Sequence, residues 1–162
     1  MIMMATPLVR FLNIIVAALL AGVSFGIWIG FDPSGLSPST FVEQQQNMLQ
    51  SLRTLMVSLV VIATLITMLS AYLQKHDKPT FISLIIAGVF FIACILITLF
   101  GNKPIDDIVI TWTKEAIPNN WLDLRDNWWS FHILRTLAEI IALLLVTWAS
   151  IRKDNKKTFK TV

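Results

Sequence analysis

Six residues with chemically useful side chains recur at helical spacing in the last third of the chain. They follow one another at intervals of four, three, four, three and four residues: Trp121, Arg125, Trp128, His132, Arg135 and Glu139. These intervals place side chains on one face of an α-helix, so a single helix carries all six along one stripe. An imidazole that titrates near neutral pH, beside a fixed cation and between tryptophans, suits an aromatic or anionic ligand. The stripe is therefore a candidate ligand site.

The composition indicates the environment in which this helix lies. The chain has 162 residues, of which 56% are hydrophobic and 14% charged. A helix needs about 20 apolar residues to cross a bilayer, and windows of about that length occur at 11–31, 52–73, 81–100 and 131–151. Lipid cannot hydrogen-bond to bare backbone, and the windows lack the alternation of barrel strands, so they are expected to be helices. The sequence predicts an all-α fold, an integral membrane four-helix bundle that forms a single domain over residues 1–162.

Basic residues are concentrated before the first window, in the loop 74–80 and after the last window. The positive-inside rule then predicts that both termini are cytoplasmic and that segments 32–51 and 101–130 are outside. Ser37-Pro38 or Thr40-Phe41-Val42-Glu43 is expected to begin a helix in the first of those segments and Pro104 one in the second, and a further helix is expected to start near Asn120. We therefore expect a small, mostly helical extracytoplasmic cap. A bacterial cytoplasmic (inner) membrane suits the short basic termini.

The depth of the stripe makes its polar residues costly. Trp128 is expected at the headgroup level, with Arg135 and Glu139 deeper in the bilayer. An arginine at mid-membrane costs about 2.5–3.5 kcal/mol, so Arg135 should face the bundle interior and find a partner, for which Glu139 is available. A second polar stripe, formed by Gln46, Gln50 and Arg53, is expected on the helix that leads into the second span.

Every one of these features also has a structural interpretation. The Arg135 and Glu139 side chains can form an ion pair with no other role, tryptophans at a membrane boundary commonly form an interfacial belt, and the stripe with Gln46 can be a solvated face. Other chemistries lack their motifs: there is no Gly-rich phosphate loop, no Cys/His metal pattern around the single Cys94 and no haem attachment sequence. We expect no metal, no cofactor and no nucleic-acid partner.

Two motifs resemble a known family. Gly-Asn-Lys-Pro-Ile-Asp over 101–106 and Trp-x-x-x-His-x-x-Arg-Thr over 128–136 resemble the anthrone oxygenase-like family of small four-span membrane proteins. The resemblance is best over residues 99–146. The family positions are occupied by Asn102, Pro104, Asp106, Trp128, His132, Arg135 and Thr136, whereas Glu139 departs from the pattern.

The resemblance implies an activity, although most relatives have none assigned. Characterised members are fungal enzymes that oxidise anthrones to anthraquinones without a cofactor. By this resemblance His132 is the expected catalytic base and Arg135 stabilises the resulting anion. Asn102 and Asp106 orient the base or a substrate hydroxyl. The expected substrate-binding residues are Asn102, Asp106, Trp112, Trp121, Arg125, Trp128, Gln46 and Glu139.

Three functions remain open from the sequence. The first is binding or oxidation of a small hydrophobic or aromatic molecule at the outer membrane face. The second is a non-catalytic structural or interaction role in the membrane, and the third is a small dimeric proton-coupled exporter with Glu139 as its proton carrier. Partners are the lipid bilayer and a small hydrophobic ligand, and a homo-oligomer is left open. A cavity beside His132 distinguishes an enzyme from a filled, fully paired structural network.

Overall fold

The computed structural model describes residues 2–152, with side chains from residue 6 onward. Its α-helices are α1 (Ile2–Gly30), α2 (Pro38–Leu73), α3 (Lys78–Ile97), α4 (Lys103–Val109) and α5 (Trp121–Ile151), and a π-helical segment, Thr98–Asn102, joins α3 to α4. Four helical stretches in this part of the chain are long and apolar enough to cross a membrane: Thr6–Gly30, Pro38–Leu73, Lys78–Val109 and Trp121–Ile151. The predicted all-α fold with four spans is confirmed.

The four long helices pack as a ring. α1 and α3 each lie between α2 and α5. Alanines recur where the helices meet, and small side chains let transmembrane helices approach closely. The interior between them is filled by fully buried residues that include Ala17, Leu20, Ala63, Leu84, Ala87, Phe91, Ala142 and Val146.

The helix starts agree with the sequence signals. Ser37 caps α2 by accepting a hydrogen bond from the backbone N–H of Thr40, and Pro38 occupies the first turn, where its missing N–H costs nothing. As expected, α2 continues from there without a break into the second span. α5 begins at Trp121, one residue after the predicted start near Asn120.

The end of the third span differs from expectation. The sequence places the end of the span at residue 100 and a new helix at Pro104, but the backbone stays helical through Val109. The reason lies in the π-helical segment, where the N–H of Lys103 bonds to the carbonyl of Thr98, five residues earlier. This wider turn carries the helix past Pro104, which has no N–H to donate.

The ends of the helices near segments 31–37 and 110–120 enclose a second cluster of buried side chains, the loop-end cluster. It consists of Phe41, Val42, Ile105, Val109, Trp112 and Trp128. At this end of the bundle the helical residues belong either to continuations of the membrane-spanning helices or to α4. Part of the predicted orientation depends on Lys153, Lys156, Lys157 and Lys160, which lie outside the described residues.

Candidate functional site

A partly open cavity of about 280 Å³ lies between α2 and a wall built from α3, the π-helical segment, α4 and α5, and Leu20 and Ile27 of α1 also line it. Ligand pockets commonly measure roughly 300–1,000 Å³, so this one suits a small molecule. The α2 face of the cavity is largely apolar and includes Met48, Leu49, Leu52, Met56 and Val60. The opposite wall is polar and includes Thr98, Asn102, Asp106, Arg135 and Glu139. The cavity surface is therefore mostly apolar, and most of its polar side chains lie opposite α2.

The π-helical segment determines which residues form the polar wall. Cys94, Thr98, Asn102 and Asp106 follow one another at intervals of four, and all line the cavity. In a regular α-helix each interval of four residues overshoots a full turn by about 40°, so three intervals would rotate Asp106 well away from Cys94. The longer π turn absorbs part of this offset. It thereby keeps side chains from two helices directed at one cavity.

Close contacts hold α5 against this segment. A Cβ atom on Gly101 would lie 2.6 Å from Cγ of Phe131. The absence of a side chain at Gly101 is therefore what allows the aromatic ring to pack there. Asn102 Nδ2 donates a hydrogen bond to the Trp128 carbonyl at 3.0 Å, which ties the π-helical segment to α5.

Arg135 is held in the polar wall by two neutral groups. Its Nη2 donates to His132 Nδ1 at 3.1 Å and its Nη1 to Thr98 Oγ1 at 3.5 Å. The expected ion pair with Glu139 is not formed: among the described residues, the ion pairs within 4 Å do not include these two. The terminal guanidinium nitrogens are directed instead at the imidazole and the hydroxyl.

His132 is fully buried and does not line the cavity. Its ring lies between two indoles, with centroids 5.3 Å from Trp128 and 5.4 Å from Trp129 and nearly parallel planes. Its Nε2 lies 3.1 Å from the Ser24 carbonyl, which can only accept, so Nε2 carries the proton and donates. Its Nδ1 then accepts from Arg135. Both ring nitrogens are engaged, and the catalytic base role of His132 stays a prediction that this geometry does not support.

Several buried polar atoms of the described residues have no hydrogen-bond partner. They are Asn13 Nδ2, Ser24 Oγ, Asn102 Oδ1, Arg135 Nε and Glu139 Oε2. The last three belong to residues that line the cavity. Buried polar groups are nearly always hydrogen-bonded, so these three unpaired atoms, one donor and two acceptors, distinguish this wall from an ordinary packed interior.

Asp106 connects the cavity to the loop-end cluster. Its Oδ1 accepts from Trp128 Nε1 at 2.7 Å and from Gln45 Nε2 at 3.2 Å. Gln45 is a cavity residue that sequence reasoning missed, because Gln46 was selected in its place. Gln46 does not line the cavity. It donates to the carbonyls of Val109 and Trp112, at 3.1 and 2.9 Å, and so fixes the end of α4 on α2.

The N-terminal part of the predicted stripe lies outside the cavity. Trp121 packs against Phe41 with ring centroids 5.8 Å apart. Arg125 lies over the Trp121 ring and donates to the Ser34 carbonyl at 3.3 Å, which anchors the turn between α1 and α2. Trp112 is buried in the loop-end cluster.

The predicted site therefore divides into two sets. The cavity is lined by Asn102, Asp106, Trp128, Arg135 and Glu139, whereas Gln46, Trp112, Trp121, Arg125 and His132 do not line it. Besides Gln45, the missed lining residues include Thr98 and the apolar face of α2. Thr98 lies four residues before the predicted Asn102, and this helical interval was a usable sequence signal. In the described part of the chain, no group of three or more His, Cys, Asp and Glu side chains is arranged to hold a metal ion.

The fold and the cavity define a class: an integral membrane four-helix bundle with a mostly apolar cavity that a few polar side chains also line. The family model described as anthrone oxygenase matches residues 46–145, well over half of the chain, and the chain belongs to this family. The match confirms the resemblance drawn from the motifs around Asn102 and His132. No curated protein and no solved structure matches the chain.

Proposed function

We propose that the protein binds a small phenolic ketone, such as a hydroxylated anthrone, in the cavity and promotes its oxidation by dioxygen. The unpartnered atoms of Asn102, Arg135 and Glu139 are the observation that carries this proposal. A phenolic ketone is complementary to them, because its carbonyl accepts from Arg135 Nε–H while its hydroxyl donates to an oxygen of Asn102 or Glu139. The apolar side chains of α2 pack against its rings.

The proposed chemistry needs dioxygen as its co-reactant. Removal of a proton from the acidic methylene carbon of an anthrone gives an enolate, which is electron-rich enough to react with oxygen. One oxygen atom becomes the new carbonyl, and the other leaves as water with the two hydrogens of the methylene group. Arg135 stabilises the negative oxygen of the enolate, and such electrostatic stabilisation is commonly a large part of catalysis. The family description supports oxidation rather than binding alone.

The setting of the reaction is also part of the proposal. The distribution of Lys and Arg favours cytoplasmic termini and hence an extracytoplasmic position for the loop-end cluster, in a bacterial inner membrane. Val57 and Leu99 line the cavity and are about half exposed, so an apolar ligand enters from the lipid between α2 and the π-helical segment.

A structural role is well supported for one part of the stripe. His132, Trp121 and Arg125 have filled, paired surroundings of the kind expected for a packing network. The partly polar cavity favours ligand binding for the remainder of the stripe.

Adjacent positions on α2 allow a matched test. Met56 is buried and lines the cavity, whereas Leu55 is nearly half exposed and does not. We expect Met56→Trp to occupy the cavity and to reduce both anaerobic binding of the hydroxylated anthrone and oxygen consumption at least tenfold, whereas Leu55→Trp retains both. Binding is measured by calorimetry in detergent, and oxygen uptake is corrected for the rate without protein. Absence of binding by the unmodified protein, or equal behaviour of the two variants, would contradict the proposal.

A further inference from the structure

Oxidation through an enolate requires a group that accepts a proton inside the cavity. A catalytic base must reach the proton that it removes, either directly or through one water molecule. His132 is poorly placed for this, since its Nδ1 faces Arg135 and its Nε2 carries the proton donated to Ser24. To act as a base it would have to break the contact that holds the guanidinium.

Two carboxylates do line the cavity, Asp106 and Glu139. Oδ1 of Asp106 already accepts hydrogen bonds from Gln45 and Trp128, and those contacts hold α2, α4 and α5 together. Glu139 is 2% exposed, its Oε2 has no partner, and Arg135 forms no ion pair with it. The Ser24 hydroxyl is its neighbour on α1, but that hydroxyl also lacks a hydrogen bond of ordinary geometry.

We infer that Glu139 is the proton acceptor of the reaction and that His132 is a positioning residue that acts through Arg135. In this step the C–H bond of the methylene group breaks and the proton moves to a carboxylate oxygen of Glu139. The electron pair of that bond delocalises onto the substrate oxygen, which accepts a hydrogen bond from Arg135 Nε–H. Dioxygen is the oxidant in the step that follows. This assignment rests on the proposed function.

The arrangement separates the two roles in space. The helical interval of four between Arg135 and Glu139 directs both side chains into one cavity. His132 Nδ1 and Thr98 Oγ1 hold the terminal guanidinium nitrogens, and Nε–H has no hydrogen-bond partner. The cation thus faces the oxygen that becomes negative, and the carboxylate faces the proton that leaves.

The test measures proton removal without oxidation. Under anaerobic conditions in deuterated buffer, the protein exchanges the methylene hydrogens of the hydroxylated anthrone, and the exchange is followed by mass spectrometry above the rate without protein. A catalytic base contributes about 10²–10⁴-fold, so Glu139→Gln should lower the exchange rate at saturating substrate about 100-fold or more. Glu139→Asp should retain measurable exchange. Glu43→Gln is the matched control, since Glu43 is exposed and pairs with Lys114 away from the cavity.

His132 variants test the positioning role. His132→Ala frees the guanidinium, so it should weaken binding or raise KM while exchange at saturating substrate falls less than in Glu139→Gln. His132→Gln offers Arg135 an acceptor again and should restore part of the affinity. Thermal melts establish that each variant is folded.

The outcomes distinguish a failure of the proposed function from a failure of the Glu139 assignment. If the unmodified protein neither binds nor exchanges the substrate, the proposed function fails and this assignment fails with it. If the unmodified protein exchanges the substrate and folded Glu139→Gln does so equally well, the proposed function stands and the role of Glu139 is overturned. Loss of exchange in His132→Ala at unchanged affinity would return the base role to His132.

Discussion

Replacement of Gly101 by alanine should destabilise the protein and displace the π-helical segment that forms part of the cavity wall. The added Cβ would lie 2.6 Å from Phe131 Cγ and 2.8 and 2.9 Å from the two Cδ atoms. Carbon atoms in contact prefer about 3.5–4.0 Å, so the ring or the π-helical segment must move by about 1 Å. The ring is contacted near its attachment point, where rotation offers little relief. Overpacking of this kind costs about 1–3 kcal/mol.

The experiment compares thermal unfolding in detergent for three single variants. A Cβ on Gly22 meets nothing within 4 Å, and a Cβ on Gly88 meets chiefly the flexible end of Met68. Gly22→Ala should leave the melting temperature unchanged or raise it, because alanine is favoured over glycine inside helices by about 0.5–1 kcal/mol. Gly88→Ala should have an intermediate effect, and Gly101→Ala should lower the melting temperature most.

A double variant identifies the contact responsible. Phe131→Leu removes the ring that the new Cβ meets, so Gly101→Ala should cost less in that background than in the unmodified protein. An equal cost in both backgrounds, or a melting temperature for Gly101→Ala that matches Gly22→Ala, would refute the proposed close approach of α5 to the π-helical segment.

The remaining predictions concern the ends of the helices. Arg125→Ala should lower stability by about 1–3 kcal/mol, measured by the same melt, because the buried carbonyl of Pro33 and the carbonyl of Ser34 lose their donor. Trp128→Phe removes the indole N–H donated to Asp106 and should likewise lower the melting temperature, while weakening ligand binding measured by calorimetry. The backbone amide and side chain of Ser34 lower the pKa of Asp32 below its usual 3.8. The stability that this hydrogen bond contributes is present above pH 3.8 and is lost as the pH falls through the lowered pKa. The melting temperature of Asp32→Ala should therefore be lower than that of the unmodified protein at pH 7 and should converge with it in acid.

The helices could be predicted because their signals are local. Each span is an apolar window of sufficient length, and the starts of α2 and α5 follow capping or turn residues in the sequence. Which glutamine faces the cavity could not be predicted in the same way. Gln45 and Gln46 are identical in type and differ by about 100° in direction around the helix, so the choice depends on how α2 packs against its neighbours.

The π-helical segment also could not be predicted from the local sequence. Pro104 indicates a disturbance of the helix, but the wider turn is accompanied by the contact between Gly101 and Phe131, which are thirty residues apart. The stripe on α5 was predicted correctly as one face, yet it is about 27 Å long and its members meet different surroundings. Trp121 packs against the loop-end cluster and Arg125 contacts the turn between α1 and α2, whereas Arg135 and Glu139 line the cavity.

The ion pair that the sequence suggested and the structure lacks explains why the cavity is suited to binding. A direct contact between Arg135 and Glu139 would satisfy both groups and leave little for a ligand, as expected of a structural pair. Here the imidazole of His132 and the hydroxyl of Thr98 hold the terminal guanidinium nitrogens, and one oxygen of Glu139 has no hydrogen-bond partner. Since a buried arginine without a direct ion pair is expensive inside a membrane, its retention in this arrangement favours the proposed binding role over one in packing alone.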